Sequence, residues 1–90
     1  MTTISVTAEH LTQGIPGDCA ACAVALAVED AFPQASDVTV GQLYISMHDK
    51  VEWVLLAISL SVGERIAAID RGESVEPFSF TVNYPAEVAA

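Results

Sequence analysis

The amino-acid sequence predicts a single α+β domain of β-α-β-β-α-β order. This is the ferredoxin-like pattern, an antiparallel four-stranded sheet with two helices on one face. Three observations point there. Phe78, Phe80, Val82 and Tyr84 alternate with Ser79, Thr81 and Asn83, the period of a half-buried strand. Residues 19–32 are Ala-rich and stop at Pro33, as a helix does. The chain has 90 residues, 52% of them hydrophobic, which suits one domain rather than two.

Taken in order, Ile4, Val6 and Ala8 fall on one side of a first strand over 3–8, with Ser5 and Thr7 on the other. Residues 9–17 read as a connection closed by Pro16-Gly17. Asp18 is the expected N-cap of the first helix, whose Val24, Val28, Ala31 and Phe32 share a stripe. Residues 38–47 read as one strand with a flip of parity. Val38 and Val40 share one face, and Leu43, Ile45 and Met47 follow at odd positions. A bulge at Gly41-Gln42 puts both sets on the same side.

His48-Asp49-Lys50 is a tight connection to the second arm of a hairpin, residues 51–57. Val51, Leu55, Ile58, Val62, Ile66 and Ile69 also fit a helical period, so one helix over 51–71 competes with strand-then-helix. The Val, Trp and Leu content of 51–57 favours the strand. So does the capping-box spacing of Ser61 and Glu64. With Arg71 in the last turn and Gly72 just beyond, the second helix is expected over 62–71. Residues 73–76 turn into the last strand and Pro85 ends it. The domain is drawn as 1–85, with 86–90 as a frayed tail.

In a ferredoxin-like sheet the face away from the helices is open. Ser5, Thr7, Gln42, Ser46, Ser79 and Thr81 supply polar groups to it, but the strand over 51–57, central in that topology, is apolar on both faces. Either Trp53 and Leu55 or Val54 and Leu56 therefore face outward, with Tyr44 extending either set. Such a patch marks an association surface with aromatic anchors. Trp53, Leu55, Tyr44, Val54 and Leu56 are the candidate interaction residues, and a two-fold homodimer joined sheet to sheet is the simplest use of them. The competing reading places Trp53 in the core.

Charge narrows the partners. Lys50, Arg65 and Arg71 face twelve acidic residues, for a net charge of −9. That surface repels nucleic acid and anionic membrane and attracts a basic protein surface. Acidity also serves solubility alone. Residues 1–7 hold no basic residue, and the longest uncharged apolar stretches, 19–28 and 53–63, fall short of the roughly 20 residues of a membrane span. The chain reads as cytosolic, with Cys19 and Cys22 as reduced thiols.

Cys19-Ala20-Ala21-Cys22 is the one arrangement resembling a chemical motif. At a helix N-terminus it has the setting of a redox pair, because the dipole favours a thiolate. Metal binding by Cys19 and Cys22 with His10 and His48 is a second reading, although the two histidines are 38 positions apart and lack a local ligand spacing. Buried structural thiols are the third and simplest. The carboxylates are scattered, and no phosphate loop or nucleophile elbow is present. No catalytic residue and no cofactor are expected.

Two stretches carry a resemblance. The first runs Thr7-Ala8-Glu9-His10-Leu11, Gly14, Gly17-Asp18-Cys19, Cys22 and then Ala23-Val24-Ala25-Leu26-Ala27. The second is Ile69-Asp70-Arg71-Gly72 with Val75-Glu76-Pro77-Phe78-Ser79-Phe80. Together, over about half the chain, they resemble a group of small proteins of actinobacterial phages and prophages. Ala23 departs from that pattern, which has proline after the second cysteine, and 42–60 has no counterpart in it. The resemblance implies a phage accessory role and transfers no site residue. It favours a small acidic protein that binds a host protein, with an anti-CRISPR-type inhibitor of a basic, nucleic-acid-binding target as one member of that class.

Overall fold

The computed structural model describes residues 1–84, so Pro85 and the expected tail over 86–90 lie outside the described residues. The elements are β1 (Thr2–Val6), α1 (Ala8–Gln13), α2 (Ala23–Ala31), β2 (Ala35–Val40), β3 (Tyr44–Asp49), β4 (Glu52–Ala57), α3 (Leu60–Asp70) and β5 (Phe78–Val82). The α+β class holds. A single four-stranded ferredoxin-like sheet does not: among the described residues, β1 pairs with β5 in one antiparallel sheet and β2-β3-β4 form another.

The departure begins at Gly41. What reads as one bulged strand over 38–47 is two strands and a reversal. Gly41 N–H donates to the Tyr44 carbonyl at 2.8 Å, closing a two-residue turn at Gln42-Leu43, and Val40 pairs with Ile45. A hairpin returns both arms to the same face as well as a bulge does, which is why Val38, Val40, Ile45 and Met47 are all buried. A true bulge lies earlier, between Ser36 and Thr39, where Asp37 adopts a φ of 53° that Asp tolerates. A second two-residue turn, Lys50-Val51, sets Asp49 opposite Glu52. Three strands therefore form by local pairing. The strand expected at the sheet centre, 51–57, becomes β4 at its edge, and no parallel pairing with β1 occurs.

The helices also shift. Residues 9–13, expected as connection, form α1 together with Ala8, which was expected to end the first strand. Thr7 caps it: its Oγ1 accepts from His10 N–H, and the His10 ring accepts from Thr7 N–H in return. α2 begins four residues later than expected, with Cys22 at N-cap. Asp18 does not cap it; its carboxylate accepts from Ala20 N–H in a local turn. α3 is capped by Ser59, whose Oγ accepts from Val62 N–H. The Ser61 hydroxyl lies 3.1 Å from the Ser59 hydroxyl, and Glu64 is exposed on the helix. Its C-terminus matches expectation. Gly72 has φ +78°, and the N–H groups of Gly72 and Glu73 donate to Ile69 and Ala68 carbonyls, closing a Schellman motif.

The core lies between the two sheets and the helices. Ile4, Val6 and Val82 enter from the β1–β5 sheet, Ile45 and Met47 from β3, Val24 and Val28 from α2, and Ile66 from α3. Gly63 and Tyr84 help join these parts. Gly63 of α3 lies so close to the Gln42 carbonyl that a β-carbon there would overlap it. Tyr84, following β5, sets its ring edge-on to Phe32 with centroids 5.6 Å apart and donates its hydroxyl to the Asp49 carboxylate at the end of β3. That bond leads the causes that push the Tyr84 hydroxyl up to about 12.

Two outcomes follow from these contacts. Gly63→Ala is expected to lower stability by about 1–3 kcal/mol, because rigid backbone must move aside. Urea unfolding reads this as a lower midpoint at unchanged slope, and an unchanged midpoint contradicts it. In Tyr44→Phe protein, ultraviolet titration sees Tyr84 alone, and its ionisation is expected near pH 12 rather than 10. The folded state holds this proton more tightly than the unfolded chain does. The contribution is therefore complete below pH 10 and is lost as pH rises through 12. Tyr84→Phe removes that alkaline loss.

Candidate functional site on the open sheet face

The β3–β4 register decides which side chains meet solvent. Tyr44 pairs with Ala57, Ser46 with Leu55 and His48 with Trp53, and these alternate with Ile45–Leu56 and Met47–Val54. Side chains alternate along strands, so the first set faces away from the core. Tyr44 is 56% exposed, Trp53 66% and Leu55 70%. Of the two outward sets the sequence left open, the odd one faces out. Leu56 is buried and Val54 is packed against the core, so neither belongs to the patch.

Three exposed large apolar side chains, Tyr44, Trp53 and Leu55, share this face, and others lie near them in the sequence. Among the described residues, the exposed large hydrophobic side chains are Met1, Ile15, Leu43, Tyr44, Val51, Trp53, Leu55 and Leu60; all but the first two lie within 43–60. Scattered apolar residues are ordinary on a surface, whereas a contiguous group is not. The Trp53 ring is held edge-on against His48, centroids 5.0 Å apart, which fixes its orientation in advance of any contact. Leu60 and Val51 escaped the sequence reading as exposed residues, and Leu43, expected on one side with Ile45 and Met47, instead sits exposed in the Gln42-Leu43 turn. The signal for Val51 was present: two residues between pairing strands make a turn, and a turn exposes its side chains.

Histidine and cysteine chemistry does not assemble. His10 Nδ1 accepts from Thr7 N–H at 3.1 Å, so Nε2 carries the proton toward Asp30 Oδ2 at 2.5 Å. Thr7 Oγ1 also lies 3.2 Å from Nδ1, giving a hydroxyl–imidazole–carboxylate chain. Each member already has a structural task. Thr7 caps α1, His10 completes the reciprocal cap, and Asp30 ties α1 to α2. The hollow beside them holds about 270 Å³, below the usual range of ligand pockets. His48 sits on a different sheet face, against Trp53. Among the described residues, no group of three or more His, Cys, Asp or Glu side chains is placed to hold a metal ion.

The Cys19–Cys22 pair also differs from the expected redox geometry. Cys19 is exposed and precedes the helix rather than starting it; its carbonyl accepts from Val40 N–H at 2.8 Å. Cys22 is buried at the N-cap of α2. Burial pushes its thiol up, outweighing the helix-start N–H groups that favour the thiolate. Both cysteines are free thiols.

No family model matches the sequence, and neither a curated protein nor a solved structure matches it.

The thiols give a direct check on this geometry. At pH 7–8 a maleimide or disulfide reagent is expected to label Cys19 rapidly and Cys22 only in denaturant, so that native protein yields one modified thiol per chain. Rapid double labelling contradicts the buried position of Cys22.

Proposed function

We propose that this chain is a non-enzymatic binding protein, a phage accessory protein that engages a host protein through the open face of β2-β3-β4. The observation that carries this reading is the group Tyr44, Trp53 and Leu55, each more than half exposed and side by side on one sheet face. Large aromatic and branched side chains left in water on a flat, hydrogen-bonded scaffold are the usual anchors of a protein interface. The partner that suits them has an apolar footprint with basic groups around it, because this chain brings a net charge of −9.

Charge here speeds encounter rather than copying a nucleic acid. Among the described residues, the exposed acids are spread over α1, α2, β2, β4, α3 and the loops rather than gathered on one element. An inhibitor of a defence nuclease fits this class of partner through its basic surface. Self-association is the second reading, and the free edge of β4 is the feature that favours it.

Trp53→Ala is expected to leave stability within about 0.5 kcal/mol of the parent, since the side chain is exposed. The same substitution is expected to abolish retention of a specific basic protein from host lysate. Raising salt should weaken that retention in the parent protein. Equal retention by parent and Trp53→Ala overturns the reading. A loss of several kcal/mol in Trp53→Ala overturns it as well, since that places the indole in the core.

A further inference from the structure

Antiparallel strands alternate between residues bonded to one neighbour and residues bonded to the other. Ile58 N–H donates to the Leu43 carbonyl at 3.2 Å, which makes 43–58 a hydrogen-bonded pair in the β3–β4 register. Counting along that register, Leu56, Val54 and Glu52 direct their backbone groups to β3. The N–H and C=O groups of Trp53, Leu55 and Ala57 therefore point to the outer edge, where no described strand pairs with β4.

Natural sheets blunt such an edge with lysine, proline, a bulge or a covering loop. Among the described residues, β4 carries no lysine, proline or bulge. Its sequence is Glu52-Trp53-Val54-Leu55-Leu56-Ala57, with a single ionisable side chain at one end and no irregularity in its pairing.

We propose that a second copy of this chain pairs with β4 edge to edge, antiparallel, with Leu55 on the two-fold axis. Leu55 then faces Leu55 of the second copy, and Trp53 faces Ala57. The six outward backbone groups of each copy are all matched. A two-fold axis normal to the sheet keeps both open faces on the same side, so β2-β3-β4 of the two copies become one six-stranded sheet.

The side chains agree with that register. The largest residue, Trp53, is set opposite the smallest, Ala57. Extending the same count sets Val51, 95% exposed, near Ser59 and Leu60 of the second copy, and Leu60 is itself 75% exposed. Glu52 falls opposite Ile58, and the two copies of Glu52 lie at opposite ends of the seam. A seam of one short strand from each copy belongs with the smaller interfaces, so a weak, concentration-dependent dimer is expected. Because both copies are acidic, salt strengthens this association, the reverse of its effect on a basic partner.

Sedimentation velocity of the intact chain tests this at on the order of 100 µM, in low and high salt. A dimer that grows with concentration and with salt is the expected result. Ala57→Pro removes one outward N–H from each copy but leaves Tyr44, Trp53, Leu55 and the Ile58–Leu43 bond in place. It is expected to raise the dissociation constant at least about tenfold. A mixed sample of isotope-labelled and unlabelled parent protein fixes the register without any variant. Val54 and Leu56 of different copies form a non-hydrogen-bonded pair, with their Hα atoms in close contact across the seam. A strict monomer at these concentrations overturns the inference, and so does a dimer lacking that contact. Because Ala57→Pro keeps the open-face side chains, loss of the dimer and loss of lysate capture are separable failures.

Discussion

The β3–β4 register is the constraint on which the surface of this molecule depends. Asp49 stands opposite Glu52 across a two-residue turn, and every pair beyond it follows. With that register, Ile45, Met47 and Leu56 go to the core and Tyr44, Trp53 and Leu55 to water. A slip of one residue would exchange the two faces of a strand. The core side resists the slip, because Ile45 and Met47 are fully buried in the core while Tyr84 holds Asp49 at the strand end. The exposed patch is thus a consequence of the buried one. The sheet tolerates three large side chains in water because the opposite side chains fix the strand.

Much of the fold was legible as local pattern. The strand over 78–84, the stop at Pro33 and the Gly72 terminus all stand close to where alternation, proline chemistry and glycine's positive φ put them. The errors are those of competing local solutions. Gly41-Gln42 satisfies a bulge and a turn equally well by hydrophobic parity, and only the Gly41–Tyr44 hydrogen bond separates them. Asp18 and Ser61 are good caps that lost to better-placed neighbours. Asp18 bonds Ala20 in a turn, and Ser59 reaches Val62 first. α1 was hidden because its cap is unusual, with histidine in the place of glutamate in the reciprocal pair. The candidate site was half legible. Trp53, Leu55 and Tyr44 were readable as a set, but the choice between odd and even residues of β4 required the register itself.

The chemistry suggested by individual residues is absorbed by the fold. Two cysteines three apart, with histidines that could join them on a metal, look like reactive groups in one dimension. In three, His10 and Thr7 close a helix end, and Cys22 is a small apolar plug at another. What remains unabsorbed is physical rather than chemical: an unguarded strand edge, an apolar face above it, and a strong excess of negative charge. Those three features are what the proposed contact with other chains rests on.

Amide hydrogen exchange at β4 tests that claim most directly. The amides of Val54 and Leu56 face β3 and serve as internal controls, while those of Trp53, Leu55 and Ala57 face outward. The account predicts that the outward three exchange quickly in dilute protein and become protected as concentration rises, with the inner pair protected throughout. Rapid exchange of the outward amides at every concentration would contradict edge pairing and return β4 to an ordinary solvated strand.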